Sequence, residues 1–217
     1  MKLNKPLICF FRISLLCIFL TFSPDLFSQR FDAAIVGGLN ASQIDGDGLA
    51  GFDKVGLTGG VRAIINLESA FQLNVEFLFT QRGSKPDLFT PELDPDIKVL
   101  LNYGEIPVYV SIGDWWQEEG EYHKVSAHAG VSYGRLINAR TFDYVNTGDA
   151  VLDSLVPYFN DNDLSWLVGA SYRMGSQWGL TVRYTRGITP LFNPNKHNLN
   201  APRLLSYYLT FRLEYYF

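Results

Sequence analysis

Hydrophobic and polar positions alternate strictly at the C-terminal end of the chain. From Leu205 to Phe217 every odd position is apolar or aromatic: Leu205, Tyr207, Leu209, Phe211, Leu213, Tyr215 and Phe217. The even positions carry Ser206, Tyr208, Thr210, Arg212, Glu214 and Tyr216. A period of two predicts a β-strand. One wide apolar face closed by a terminal aromatic suits a transmembrane strand, whose lipid-facing and lumen-facing residues alternate across an apolar band ~25 Å tall.

The same pattern predicts eight strands in all, at Phe31–Ala41, Lys54–Leu67, Phe71–Arg82, Lys98–Ile112, Tyr122–Ile137, Leu164–Met174, Trp178–Ile188 and Arg203–Phe217. An even count and lengths of roughly ten residues or more fit tilted membrane crossings better than the five or six residues usual in soluble sheets. The connections alternate long and short. Ser42–Asp53, Gly83–Ile97, Asn138–Asp163 and Thr189–Pro202 are long, whereas Glu68–Ala70, Gly113–Glu121 and Gly175–Gln177 are short. Outer-membrane barrels have short periplasmic turns and longer outer loops. The expected fold class is therefore all-β, an eight-stranded antiparallel up-and-down transmembrane barrel with both termini on the periplasmic side. A soluble periplasmic β-protein, lipocalin-like, is the rival.

Aromatic residues cluster near the ends of the apolar faces: Phe71 and Phe79, Trp166 and Tyr172, Trp178 and Tyr184, Tyr207 and Tyr215. With neighbours antiparallel they would form two girdles at the membrane interfaces, whereas a sandwich core would hold its aromatics mid-strand. The fourth segment breaks parity. Ile106, Val108, Val110 and Ile112 form one apolar set, but Val99, Leu101 and Tyr103 lie on the opposite parity. A β-bulge near Gly104 is expected to restore a single outward face, with Pro107 beside it because its missing N–H interrupts a ladder.

The N-terminus changes the picture in the same direction. Lys2, Lys5 and Arg12 precede the apolar run Ile13–Phe22, and Ser28 ends a plausible cleavage site. This predicts a signal peptide over 1–28 and a barrel over 29–217. Arg12 and Pro24 bound the apolar run too closely for an uncleaved transmembrane helix, and the run continues past Cys17, against a lipoprotein site. Both cysteines, Cys9 and Cys17, fall in the removable segment, so the mature chain has no disulfide framework or thiolate metal site. Removing Lys2, Lys5, Arg12 and Asp25 from 18 basic and 22 acidic residues leaves a net charge of −6. That balance argues against nucleic-acid binding.

The polar faces carry the candidate chemistry. Arg62, Glu76, Glu105, His128, Arg173, Arg183, Arg212 and Glu214 are expected to point into the lumen. An eight-stranded barrel is just wide enough inside for side chains or one small ligand, so these charges should pair and plug it. A narrow ion path is the competing reading. A lipid-modifying enzyme is the third class, but it would need Ser, His and an acidic residue within hydrogen-bond reach. His128 lies inward near Ser126 and Ser132, and residues two apart on a strand are ~7 Å apart; a glutamate partner for His128 is expected instead. His123 sits near a short turn and His197 in the last loop. Asp45-Gly46-Asp47-Gly48 matches only the start of a calcium loop and lacks its distal ligand, as does Asp161-Asn162-Asp163. No metal or other cofactor is expected. The proline-rich Phe89–Asp96 stretch and the Asn138–Asp163 loop, with Phe142, Tyr144, Tyr158 and Phe159, are candidate contact surfaces.

Several short stretches resemble the PorT-like outer-membrane β-barrel proteins: Gly37-Gly38-Leu39-Asn40, Val75 to Gly83, Tyr103-Gly104-Glu105-Ile106-Pro107, Leu180 to Thr189 and the aromatic C-terminal end. The resemblance implies an OmpA/OmpX-sized barrel in a Gram-negative outer membrane, and the family's namesake is associated with type IX protein secretion. The terminal Phe217 is similar to the signal read by the barrel-assembly machinery. The expected role is thus a non-enzymatic membrane scaffold, or a component of a secretion or surface assembly. Its partners would be outer-membrane lipid, the assembly machinery, and a protein met by the outer loops or by the turn bearing Trp115 and Trp116.

Overall fold

A computed structural model describes residues 31–46, 51–67, 70–85, 97–143, 158–193 and 203–217. The expected signal segment, Asp47 and Gly48, Phe89–Asp96, most of the longest loop and His197 lie outside these residues. The eight strands are β1 Phe31–Asp45, β2 Lys54–Asn66, β3 Phe71–Ser84, β4 Ile97–Gln117, β5 Tyr122–Asp143, β6 Asn162–Arg173, β7 Trp178–Gly187 and β8 Leu205–Tyr216. Each pairs antiparallel with the next, and β1 pairs with β8 from Ala34↔Tyr216 to Asp45↔Leu205, closing the barrel. Closure satisfies every edge, which is what lets a sheet cross lipid. At one end the connections 67–70, 118–121 and 174–177 are four residues each; the long connections and the opposite rim lie at the other.

Exposure of the outward face decides between membrane and water. Ile35, Phe77, Val168 and Phe211 sit mid-strand and are 45–58 % exposed, and similar residues continue around the wall. At about half exposure, leaving each such side chain in water would forfeit about 1 kcal/mol, roughly half the value for full burial, a penalty that lipid removes. No helix among the described residues is long and apolar enough to cross a membrane; the strands make the crossing.

The fourth strand departs from expectation. Its inward set is odd-numbered throughout: Val99, Leu101, Tyr103, Glu105, Tyr109 and Ser111 are all buried. Val99, Leu101 and Tyr103 therefore do not swing outward through a bulge on β4. They join Ile44, Phe159, Leu191, Phe192 and Leu204 in an apolar cluster inside the loop end of the barrel, with Leu136 and Ala139 packed against it. The register shift does fall beside Gly104, between Asn102 and Tyr103, but the extra residue is Ile137 on β5, between Asn138↔Asn102 and Leu136↔Tyr103. Pro107 is not next to it. The β3–β4 ladder runs to Val75↔Val108 and resumes at Leu78↔Glu105, so the proline sits at its own gap.

Two further corrections concern length. β4 continues through Trp115 and Trp116, shrinking the expected turn Gly113–Glu121 to 118–121, and β5 runs on to Asp143 inside the expected loop. Trp115 adopts a left-handed φ of 58°, and its ring lies 4.4 Å from the Lys124 ammonium.

Candidate functional site

Register brings the first charges together. Arg62 on β2 faces Glu76 on β3 directly across the ladder, and Arg62 Nε donates to Glu76 Oε1 at 2.8 Å. Barrel closure supplies the rest. Arg183 Nη1 on β7 and Arg212 Nη1 on β8 reach Glu76 Oε2 at 2.8 and 2.9 Å. Glu214 on β8 pairs with Arg62 Nη2 and lies 3.2 Å from Arg212 Nη2. Tyr109 and Tyr216 hydroxyls donate to Glu76 at 2.5 Å and to Glu214 at 2.7 Å, and the Arg183 guanidinium stacks 4.4 Å over the Tyr109 ring. Glu76 and Glu214 are fully buried. Two carboxylates against three guanidiniums leave this cluster one positive charge in excess.

A second cluster lies toward the loop end. Arg82 on β3 bridges Glu105 on β4 at 2.6 Å and Asp163 on β6 at 2.8 Å. Its guanidinium stacks 4.0 Å from the Tyr103 ring and 4.8 Å from that of Tyr208. Tyr208 also donates to Glu105, and Ser165 and Thr189 donate to Asp163. Here the excess is one negative charge, so the two clusters balance. Between the two levels Thr58 and Thr80 share a hydrogen bond, and around and beyond Arg82 the apolar cluster fills the mouth.

Of the eight lumen residues predicted from the alternation, Arg62, Glu76, Arg183, Arg212 and Glu214 thus meet in one cluster and Glu105 in the other. Arg173 meets no carboxylate among the described residues. It is half-buried near the short turns, between the rings of Tyr122 and Tyr216 at 4.9 and 4.0 Å, and donates to the Ser176 carbonyl. His128 is inward, but its Nε2 accepts from Arg183 Nε at 3.3 Å and its ring packs 5.0 Å from Tyr109. The expected glutamate partner is replaced by an arginine because Glu76 is already surrounded. No hydrogen bond joins His128 to Ser126 or Ser132 among the described residues. Arg82 and Asp163 escape a reading that ends the third strand at Arg82 and starts the sixth at Leu164. Extending the parity of Thr80 and of Ser165 by one step would have found both.

The aromatic positions separate by end. Phe71, Tyr172, Trp178 and Tyr215 lie toward the short turns, where Tyr215 packs 5.0 Å from Trp178 and 5.4 Å from Phe217. Phe79, Trp166, Tyr184 and Tyr207 lie toward the loops, with Trp166 against Tyr184 at 5.4 Å and Phe52 against Tyr207 at 5.3 Å. Asp45 is 3.7 Å from Arg186, and Asp161 is 3.0 Å from Arg135. Among the described residues no three His, Cys, Asp or Glu side chains converge as a metal site.

Solved structures similar to this chain include Ail, the attachment invasion locus protein of Yersinia pestis (13 % identity, 86 % of this chain and 98 % of that one, TM-score 0.43). They also include neisserial surface protein A (12 % identity, 85 % and 96 %, TM-score 0.41). The N-terminal barrel domain of Pseudomonas aeruginosa OprF is a further example (7 % identity, 86 % and 96 %, TM-score 0.37). No curated protein sequence matches the chain. Residues 27–193 match the model of the outer membrane protein beta-barrel domain, and the chain belongs to that family.

Proposed function

We propose that the protein is a sealed outer-membrane barrel acting as a non-enzymatic scaffold, with partner contacts carried by its outer loops or by Trp115 and Trp116 at the turn end. The observation that carries this reading is Glu76, held by three arginines from three strands in the middle of the lumen. An ion path there must part buried charges, at about 3–5 kcal/mol for each uncompensated one, which lowers the open population by roughly two to three and a half decades. The cavity below this cluster, lined by Gln72, Asn74, Ser111 and His128 among others, holds about 20 Å³, room for about one water. The apolar cluster covers the other end. The occupied Nε2 of His128 supports a structural role for that histidine.

The chain's resemblance to PorT-like proteins extends this reading to a component of a secretion or surface assembly. Residues 1–28 act as a cleaved export signal, and Phe217, exposed at the turn end with its N–H bonded to the Ala33 carbonyl, serves as the signal for barrel assembly. Planar-bilayer recording on the purified protein tests the seal: silence at moderate voltage is expected, and large, stable conductance would overturn it. Affinity capture from native membranes tests the assembly role. Co-recovery of secretion or surface components supports it, and recovery of the barrel alone counts against it.

A further inference from the structure

The β2–β3 ladder ends at Thr58↔Thr80, although β2 begins at Lys54 and β3 continues to Ser84. Beside this seam, near the loop end, a cleft of about 280 Å³ opens in the wall. Lys54 and Arg82 reach it from inward-facing positions. Gln81, Asn102, Asn138 and Arg140 line it from the outward faces of β3, β4 and β5. Asn102 is paired with both Gln81 and Asn138, so three side-chain amides stand in one row across three strands.

Among the described residues the lining carries no carboxylate. Arg140 is exposed and meets no acid among the described residues. Arg82 is 1 % exposed, and while its terminal nitrogens hold Glu105 and Asp163, its Nε is buried without a hydrogen-bond partner. Lys54 is buried too, its Nζ donating to the Val55 carbonyl. An exposed guanidinium, amide donors from three strands and a buried, unused guanidinium N–H are suited to an anion with several acceptor oxygens.

The position selects the kind of anion. Gln81 lies two residues beyond Phe79 of the loop-end aromatic belt on the same outward face, a step of ~7 Å along the strand. That places the amide row just outside the apolar band, level with lipid headgroups. We infer that this cleft binds a phosphate group carried by an outer-leaflet glycolipid. The volume, several times the ~30 Å³ share of one water, accommodates the phosphate with part of its sugar. The site rests on the outer-membrane placement and is independent of whether the lumen is sealed.

The test is native mass spectrometry of the full-length barrel in detergent, titrated with bisphosphorylated lipid A, with the same lipid stripped of phosphate, and with inorganic phosphate alone. One bisphosphorylated lipid per barrel is expected, bound at least tenfold more tightly than the stripped lipid and weakened by salt. Arg140→Gln should weaken it at least tenfold. Arg135→Gln, which removes the exposed pair with Asp161 and the bond to Asn162, both outside the cleft lining, should stay within twofold. Heat-modifiable gel migration checks folding, and Asn138→Leu replaces Arg140→Gln if the latter does not fold. Equal binding by wild type and the cleft variant, or equal binding of stripped and phosphorylated lipid, overturns the site. Inorganic phosphate binding as tightly as the lipid overturns the glycolipid as its source.

Discussion

Glu76→Gln is the sharpest probe of the lumen. The wild-type carboxylate accepts from Arg62, Arg183 and Arg212 and from the Tyr109 hydroxyl, all within 2.5–2.9 Å. The amide keeps the shape but replaces one acceptor oxygen with an NH2 that faces guanidinium donors. It also raises the cluster's excess from one positive charge to two, with Glu214 the remaining counter-charge within it. Removing one partner of a buried ion pair costs about 3–5 kcal/mol. With a guanidinium m-value of roughly 4 kcal/mol/M, the unfolding midpoint should fall by about 1 M. All four tryptophans are exposed, Trp166 and Trp178 on the outer wall and Trp115 and Trp116 at the turn end, so their emission reports loss of the wall and of the turn end beside it. Arg183→Gln added to Glu76→Gln returns the excess to one and should recover part of the loss. A midpoint within about 0.2 M of wild type for Glu76→Gln alone, in matched lipid vesicles, would refute the reasoning.

Two other expectations are cheaper to check. Gly37 and Gly38 are neighbours on β1, yet a Cβ on Gly37 would meet nothing within 4 Å while one on Gly38 would lie 2.1 Å from the Phe211 carbonyl oxygen. Gly38→Ala should therefore lower the unfolding midpoint and Gly37→Ala should not; equal midpoints would contradict this packing of β1 on β8. Deleting Phe217 removes the terminal aromatic contact with Tyr215 and the N–H bond to Ala33, and should reduce the folded fraction recovered from outer membranes. Arg212→Ala removes one of three cations from a cluster with a positive excess and should leave that fraction nearly unchanged, while lowering stability less than Glu76→Gln does. Normal recovery without Phe217 would count against its part in assembly.

The strands, their order and their faces were legible in the chain because a period of two is local. From Leu205 to Phe217 the leucines and phenylalanines mark one side and Ser206, Thr210, Arg212 and Glu214 the other, the tyrosines taking theirs from the period, and the long–short rhythm of the connections declares which end each residue approaches. The lumen chemistry was legible only as a set of inward polar positions. Arg62 opposite Glu76 needs the β2–β3 register, and Arg183 and Arg212 arrive from the far side of the sheet only once β1 closes on β8. Polarity also misread Val99, Leu101 and Tyr103, because an apolar side chain fits lipid and a dry barrel mouth equally well. The alternation records that a residue faces away from its neighbours. Which apolar environment receives it, and which carboxylate answers which arginine, is decided by the distances that closure imposes.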